Sequence, residues 1–418
     1  METEFFTCLD KYKDLLSGKS LAVGVSGGSD SIGLLLILDK WVKQNGCDVT
    51  AITVDHKLRS ESTNEANYVT KLCQKKGIKH VILTWDGEKP TSNIELKARE
   101  ARYKLIANYC AGNSIKYLLT AHHMDDQAET FFIRLFRGSG IDGLASMQDI
   151  NDLYGLTIVR PFLTIHKQQI KNYLLENNVK WFEDESNSDE KFLRNKIRKF
   201  INSFENNDEI VNRINFAVEE INKTKQIVDV LIEKIERSNV KFDPFGSCIF
   251  NKKLLIEKDV VVLKILAKIA MNISGDIYKP RLEKLKRLLF ILRNTDSVRY
   301  TFYGCIFETY NENLFIVYRE YNAIGNNVEL IYNDYVVWDN RFKIKLNKNI
   351  KDVMVTHVKD GEFNSILVEM RKTDYKKYRE MKEIRGIEKK IFYTLPTVCI
   401  NGKYLFDCDF VDMELIKR

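Results

Sequence analysis

The sequence lacks several features that mark other classes of protein. No apolar run reaches the length of about 18 residues that a membrane-spanning helix needs. The eight cysteines are scattered and form no Cys-x-x-Cys pair, which disfavours a zinc ribbon, an iron–sulfur site and a redox pair. The acidic N-terminus has neither the basic start nor the apolar centre of a signal peptide. We therefore expect a cytoplasmic protein.

The composition is that of a soluble globular protein. Hydrophobic residues make up 44% of the chain and charged residues 29%, enough for a substantial core. A length of 418 residues predicts two or three domains. The net charge of +7 is mild, and it permits an acidic partner such as RNA without requiring one.

The chain is organised around a short loop between a predicted strand and a predicted helix. Residues 21–25 are apolar and predict a buried strand, and residues 32–44 predict a helix with Asp30 or Ser31 as its N-cap. Backbone N–H groups and the positive end of a helix meet at such a loop, which is where phosphate binds. The loop consists of Ser26, Gly27, Gly28, Ser29, Asp30 and Ser31.

The composition of this loop narrows its chemistry. No Lys-Ser or Lys-Thr pair follows the glycines, so the loop is not a Walker A motif. Phosphate would be held by N–H groups, hydroxyls and Mg²⁺ positioned by Asp30. Two glycines alone would fit an ordinary turn equally well. The whole string after an apolar strand resembles the pyrophosphate loop of the ATP pyrophosphatases, which split ATP into AMP and pyrophosphate and activate an oxygen as an adenylate.

Apolar segments alternate between strand and helix character over the first part of the chain. The predicted strands cover residues 49–54, 80–84, 116–121 and 156–159, and helices between them cover 64–76, 93–111 and 166–178. This alternation predicts an α/β fold with a doubly wound, mostly parallel sheet. In such sheets ligands bind beyond the carboxyl ends of the strands, where Asp55 and His56 also fall.

A dense polar cluster follows the fourth predicted strand. It contains His122, His123, Asp126 and Glu129, and the two acids are one helical turn apart. A pair of carboxylates suits Mg²⁺ or an ammonium group. The alternative is that acids at a helix N-terminus complement the helix dipole, which explains Asp126 better than Glu129.

Two groups of arginines are spaced so that their members fall on one face of a predicted helix. Arg99 and Arg102 fit either a solvated helix surface or a site for a phosphate or an anionic intermediate. Arg194, Asn195 and Arg198 follow an acidic polar stretch, and they fit either a linker helix or a surface for RNA phosphates.

The motifs together resemble the tRNA(Ile)-lysidine synthetase family over about the first 200 residues. They occur in the family's order, whereas other ATP pyrophosphatases share only the first loop. The matching segments are residues 26–31, 54–59, 93–103, 121–130, 137–144 and 183–198.

The resemblance implies a reaction in two steps. ATP would adenylate the C2 oxygen of the wobble cytidine in the CAU anticodon of tRNA(Ile). Free L-lysine would then attack C2 through its ε-amine and expel AMP, giving lysidine and switching decoding from AUG to AUA. ATP and Mg²⁺ are the implied cofactors, tRNA and lysine are the partners, and a homodimer is an expectation drawn from some relatives.

The resemblance also implies roles for individual residues. The loop would hold the pyrophosphate, with Asp30 and Asp126 toward the metal. Asp126 and Glu129 would hold lysine or share in metal binding, and these two roles stay open. A nearby carboxylate or a histidine could accept the proton of the lysine amine, so His122 and His123 are candidates and the base is left open. The implied catalytic residues are Asp30, Arg99, Arg102, Asp126 and Glu129.

The predicted organisation has three parts. Residues 1–205 form the catalytic domain, residues 206–321 a small helical domain, and residues 322–418 a mixed α+β domain. The residues predicted to bind tRNA are Arg194, Asn195, Arg198, Lys389 and Lys390.

Three other functions compete with this interpretation. They are a tRNA-thiolating ATP pyrophosphatase, a glutamine-dependent synthetase and a nonenzymatic RNA-binding protein with the same fold. The scattered cysteines disfavour the first two, since neither a reactive pair nor a processed N-terminal cysteine occurs. The intact loop and acidic cluster argue against the third.

Overall fold

A computed structural model describes most of the chain and divides it into two compact units, Met1–Ile227 and Val228–Arg418. The division into residues 1–205, 206–321 and 322–418 stays a prediction, and the two units are described separately below. The described residues are 2–55, 61–85, 94–183, 193–243, 245–276, 278–325, 327–357, 391, 393–400, 403–405 and 411–416.

The first unit is built on a six-stranded sheet. Its strands are β1 (Ser20–Gly24), β2 (Asp48–Asp55), β3 (Lys79–Thr84), β4 (Tyr117–Leu119), β5 (Ile150–Leu153) and β6 (Leu156–Val159). They lie in the order β3-β2-β1-β4-β6-β5, and all neighbours are parallel except β5 and β6. The predicted doubly wound, mostly parallel sheet is therefore confirmed. The strand order reverses between β1 and β4, where such sheets bind their ligands.

Helices surround this sheet and supply most of its core contacts. They are α1 (Glu2–Asp10), α2 (Lys13–Leu16), α3 (Ser29–Asn45), α4 (Glu61–Lys76), α5 (Ile94–Gly112), α6 (Met124–Phe136), α7 (Ile141–Leu144), α8 (Lys167–Glu176), α9 (Leu193–Asn202) and α10 (Asn207–Asn239), which ends in the second unit. None of the helices in the described part of the chain is long and apolar enough to cross a membrane.

The start of α3 differs from the prediction. The helix begins at Ser29, not at Ile32, and Gly28 is its N-cap. Gly28 is in an extended conformation, and its carbonyl accepts both the Ile32 N–H and the Ser31 hydroxyl at 3.1 Å. Asp30 and Ser31 consequently lie within the first turn and do not cap the helix.

The second unit begins with a five-stranded antiparallel sheet and two helices. The elements are β7 (Val240–Phe242), β8 (Cys248–Asn251), α11 (Asp259–Ser274), α12 (Leu282–Asn294), β9 (Arg299–Phe302), β10 (Cys305–Thr309) and β11 (Leu314–Arg319). The sheet order is β7-β8-β11-β10-β9. This sheet lies within residues 206–321, the segment predicted as a small helical domain, and that assignment stays a prediction.

Two smaller sheets complete the second unit. Their strands are β12 (Val328–Glu329), β13 (Tyr335–Trp338), β14 (Phe342–Leu346), β15 (Val353–His357), β16 (Pro396–Ile400), β17 (Lys403–Leu405) and β18 (Val411–Leu415). They form the sheets β12-β15-β16-β17 and β13-β14-β18. Alternate residues of β11 enter two cores: Phe315 and Val317 pack with α11 and α12, and Ile316 and Tyr318 pack with the smaller sheets.

Candidate active site

The loop after β1 is held in shape by the side chain of Ser31. Its Oγ accepts the Ser26 N–H at 3.1 Å and donates to the Gly28 carbonyl at 3.1 Å. The N–H groups in the first turn of α3 have no acceptor within their own helix, as in any α-helix. The sequence thus builds a closed loop that leads into the N–H groups of the first turn of α3, and the binding of ATP by Ser26, Gly27, Gly28, Ser29, Asp30 and Ser31 stays a prediction.

Gly27 fits the loop because only glycine adopts its conformation easily. Its φ is +90°, and a Cβ there would lie 3.3 Å from the Glu65 Cβ. The Gly27 carbonyl accepts the Phe182 N–H at 3.0 Å, and the Phe182 ring packs edge-on against Tyr68. The loop therefore contacts the chain segment that precedes α9.

His123 joins this loop to the acidic helix α6. Its Nε2 atom lies 3.5 Å from Asp30 Oδ2 and 3.5 Å from Asp126 Oδ2, and its Nδ1 atom lies 3.4 Å from Asp125 Oδ2. The β1 loop and the segment after β4 meet here because their strands are neighbours in the sheet. The side chain of His123 is almost completely buried among these three carboxylates.

The charges in this cluster support one another. Burial disfavours a charged imidazole, but Asp126, Asp125 and Asp30 outweigh it and raise the pKa of His123 to about 10. Burial likewise opposes ionisation of Asp30, yet its hydrogen bond to His123 and the charges of His123 and Lys167 lower its pKa. The three carboxylates thus favour the protonated form of His123, which lies between them.

The two acids predicted to bind lysine are held by arginines of α9. Arg194 Nε donates to Glu129 Oε2 at 2.6 Å, and Arg194 Nη2 donates to Asp126 Oδ1 at 2.9 Å. Arg198 Nε donates to Glu129 Oε1 at 2.6 Å. The structure thus brings Asp126, Glu129, Arg194 and Arg198 into one cluster, which the sequence did not predict.

The other residues predicted to bind tRNA are placed differently. Asn195 is buried on the packed face of α9. Lys389 and Lys390 lie outside the described residues. Arg194 and Arg198 direct guanidinium N–H groups at the acids of α6, so their role as tRNA ligands stays a prediction.

A second cluster of cations lies near His122. Desolvation lowers the pKa of His122 to about 3; Asp126 opposes this shift, while Arg160, Arg99 and Arg194 add to it. Arg99 lies over the Tyr103 ring, with its guanidinium carbon 5.1 Å from the ring centroid. The predicted residues Arg99 and Arg102 lie one helical turn apart on α5, and burial and the charge of Arg99 lower the pKa of Arg102.

Sequence reasoning missed two cationic residues at this edge of the sheet. Arg160 directly follows β6 and is buried, and its Nη1 atom donates to the Gln148 carbonyl at 2.7 Å. Its position beyond a strand end was the signal that could have identified it. Lys167 begins α8, and its Nζ atom lies 3.7 Å from Asp30 Oδ2. No sequence signal singled it out.

The sequence is similar to those of known enzymes that contain a loop of this kind. Residues 1–204 match the PP-loop domain family. The chain is 32% identical to a tRNA(Ile)-lysidine synthase of Orientia tsutsugamushi, and the alignment covers 95% of this chain and 90% of the relative. It is 35% identical to a tRNA(Ile)-lysidine synthase of Wolbachia pipientis wMel, with 92% and 87% covered. The chain belongs to the tRNA(Ile)-lysidine synthase family.

This membership confirms the family and the enzyme class that the motifs indicated. A solved structure of a U34-tRNA thiolase from Methanococcus maripaludis covers 52% of this chain and 79% of its own, at 19% identity and a TM-score of 0.45. Two buried cysteines do not fit the reactive thiols that sulfur transfer needs. Burial raises the pKa of Cys73 to about 11 and that of Cys110 to about 12, so these thiols are poorly ionised.

Proposed function

We propose that this lysidine synthase family member ligates L-lysine to C2 of the wobble cytidine in the CAU anticodon of tRNA(Ile), at the expense of ATP. Family membership supports the overall reaction. The observation that carries the proposal is the contact of His123 with both Asp30 and Asp126. It brings a phosphate-binding loop and a cation-binding acid pair to the same edge of the sheet.

The loop after β1 supports the adenylation step. Its N–H groups would bind the pyrophosphate part of ATP while the C2 oxygen of cytidine forms a bond to the α-phosphorus and pyrophosphate leaves. Arg99, Arg102 and Arg160 would then face the negative charge of the adenylated intermediate. Arg99, on α5, and Arg160, at the end of β6, place positive charge next to His122.

The acids near the loop fit a magnesium ion that arrives with ATP. Asp30 and Asp126 each have an oxygen 3.5 Å from the His123 Nε2 atom, so the two carboxylates lie near each other. Among the described residues, no group of three or more histidine, cysteine or acidic side chains is arranged as a metal cage. Mg²⁺ commonly binds one or two carboxylates together with substrate phosphates. When bound, it would offset the negative charge of the triphosphate.

The acid pair Asp126 and Glu129 supports binding of the lysine ammonium group. The pair already accepts N–H donors from two guanidinium groups, so its geometry suits a cation. A carboxylate offers about four acceptor positions, which leaves places for an ammonium group beside the arginines. We infer that lysine binds against Glu129 and Asp126 with its ε-nitrogen directed toward C2 of the cytidine.

The attacking amine must lose a proton before it forms the C–N bond. The carboxylates of Asp126, Asp125 and Asp30 raise the pKa of His123 to about 10, which favours a bridging role over that of a proton acceptor. His122 is neutral, but its pKa of about 3 makes it a weak base. These environments favour a positioning role for both histidines. The proton of the ammonium group would pass to a carboxylate of the site, Asp126 or Glu129, and AMP leaves as the new bond to C2 forms.

Proposed roles also extend beyond the site. Lys389 and Lys390 remain predicted contacts for the tRNA backbone, and the homodimer remains a prediction. We expect the reaction to occur in the cytoplasm, where ATP, lysine and tRNA are present together.

The test is incorporation of labelled L-lysine into an unmodified tRNA(Ile) transcript with a CAU anticodon, in the presence of ATP and Mg²⁺. A tRNA(Met) transcript, which also carries CAU, is the control. ATP-dependent label in the isoleucine transcript alone is the expected result. Release of pyrophosphate without lysine incorporation would contradict the proposed acceptor while retaining the adenylation chemistry.

A further inference from the structure

A row of five phenylalanine rings begins one helical turn beyond Glu129. Neighbouring ring centroids in the row are 5.2 to 5.9 Å apart, and the contact between Phe132 and Phe200 connects α6 to α9. The row consists of Phe131, Phe132, Phe136, Phe200 and Phe204. The site described above does not use any of these rings.

The outer rings of the row are open to solvent. Phe136 is 63% exposed, Phe200 is 45% exposed and Phe204 is 41% exposed. Single exposed apolar side chains are normal, but adjacent exposed aromatic rings mark an interaction surface. Leu135, which neighbours Phe136, is also exposed and extends the apolar area.

The row is close to the acid pair along α6. Phe132 and Phe136 follow Glu129 by three and seven residues, which places them on the same helix face. At 1.5 Å per residue they lie about 4.5 and 10.5 Å further along the helix axis. Stacked nucleotides of one strand are about 3.4 Å apart. If the RNA strand runs along α6 from a cytidine next to this lysine site, its neighbouring nucleotides, one to three positions along the strand, would lie beside the rings.

Positive charge flanks the rings on both helices. Arg134 and Arg137 lie on or next to the last turn of α6, and Lys196 shares a face of α9 with Phe200. Burial and the neighbouring charge of Arg137 lower the pKa of Arg134. A second copy of this chain would bring the same positive charge to the row of rings, and like charges repel each other. A single-stranded nucleic acid instead supplies phosphates for the cations and flat bases for the rings.

We propose that this phenylalanine row stacks the unpaired bases next to the target cytidine, with Phe136 and Phe200 as the principal platforms. The inference rests on the proposed function, because it takes the RNA substrate as given. It assigns the row to the anticodon loop, where bases are unpaired and available for stacking. Arg134, Arg137 and Lys196 would contact the phosphates of the same nucleotides.

The experiment compares substitutions at Phe200 and Phe136 in the full chain. Phe200→Ala and Phe136→Ala remove a ring, Phe200→Leu keeps an apolar side chain, and Phe200→Trp keeps an aromatic face. Phe216→Ala is the matched control, because Phe216 is 66% exposed but lies on α10 and outside the row. The measurements are the Kd and KM for the CAU tRNA(Ile) transcript and the KM values for ATP and lysine.

The proposal predicts weaker tRNA binding by about 5- to 100-fold for each alanine variant, the range found when a base-stacking ring is removed. Phe200→Leu should resemble Phe200→Ala, Phe200→Trp should bind like the parent, and the KM values for ATP and lysine should stay within about twofold. Phe216→Ala should bind tRNA normally.

Two results would overturn the proposal. One is unchanged tRNA affinity in both alanine variants. The other is a parent protein that is dimeric by sedimentation and becomes monomeric on Phe136→Ala, since the row would then be an interface between copies. Lysine incorporation by the parent protein is measured first, so a failure of the proposed function is recognised separately from a failure of the stacking surface.

Discussion

Arg194 links two carboxylates of α6 through separate nitrogen atoms, with Nε at 2.6 Å from Glu129 and Nη2 at 2.9 Å from Asp126. The guanidinium group presents these donors in a fixed planar fork, so the two acids are held at a defined separation. Arg198 adds a second contact to Glu129. The basic helix α9 is therefore part of the candidate lysine site as well as a predicted RNA surface.

Glu129→Gln should weaken the use of lysine more than the use of ATP. The amide keeps the shape of the side chain but removes the charge that attracts an ammonium group. We expect the KM for lysine to rise at least tenfold, with the KM for ATP nearly unchanged. Arg194 and Arg198 are partly exposed, so the loss of stability should be about 1–2 kcal/mol, below the range for a fully buried pair.

Steady-state kinetics and thermal unfolding would check this prediction. Glu176→Gln, at the exposed C-terminal end of α8, is a suitable control. Equal rises in the KM for ATP and for lysine would instead favour a metal-binding role for Glu129.

Asp30→Asn should stop adenylation while the fold survives. Asp30 lies in the first turn of α3, within 3.5 Å of His123 and 3.7 Å of Lys167, and its carboxylate is the predicted magnesium ligand of the loop. We expect tRNA-dependent release of pyrophosphate to fall at least 100-fold. Circular dichroism should remain like that of the parent. Normal turnover in this variant would remove Asp30 from the mechanism.

Gly27→Ala and Gly46→Ala form a matched pair that separates backbone strain from nucleotide binding. Both glycines have a positive φ, +90° at Gly27 and +62° at Gly46, so alanine should cost about 1–2 kcal/mol at either position. A Cβ at Gly46 would have no atom within 4 Å. A Cβ at Gly27, which is inside the loop, would lie 3.3 Å from the Glu65 Cβ on α4. Only Gly27→Ala should raise the KM for ATP, by about tenfold or more.

Unfolding in urea and ATP kinetics would be measured for both variants. A similar rise in the KM for ATP in Gly46→Ala would show that general destabilisation, and not loop geometry, controls nucleotide binding.

Protonation of His80 should lower the stability of the fold in mild acid. Its ring accepts or donates hydrogen bonds with Thr53 at 2.9 Å and Thr70 at 3.1 Å, and burial lowers its pKa below the usual 6.5. A lowered pKa means that the unfolded state binds the proton more readily. The contribution of His80 to stability is therefore present above pH 6.5 and is lost as the pH falls through the lower folded-state pKa.

Urea unfolding at pH 7.5 and 5.5 would test this for the parent and for His80→Gln. The parent should lose more stability between the two pH values than the variant does. Equal losses would show that His80 is protonated with similar ease in the folded and unfolded states.

The sequence predicted the parts of the fold that depend on local patterns. The apolar strands and the helix that carries Asp126 and Glu129 were recognisable because each is a short run with one clear periodicity. The edge strand Ile150–Leu153 was missed, since Asn151 and Asp152 interrupt its apolar character. The start of α3 was placed too late because a glycine N-cap leaves no side-chain signal.

The candidate site's motifs were recognisable in the sequence, but the partners of their side chains were not. The loop and the acids of α6 appeared as motifs, and strand order explains why they meet. The contacts of Arg194 and Arg198 join residues 65 to 69 positions apart, and no local pattern reports such a pairing. The same holds for Lys167, whose approach to Asp30 depends on how α8 packs.

The hydrogen bond from Phe182 to Gly27 sets a lower limit on the size of a self-sufficient nucleotide-binding fragment. The strand, loop and helix of residues 20–45 are contiguous in sequence. Phe182, which donates a hydrogen bond to the loop, lies far along the chain. A truncation that ends before Phe182 would leave the Gly27 carbonyl without this donor and Tyr68 without its ring partner. Grafting the loop onto another scaffold would require a substitute for both contacts.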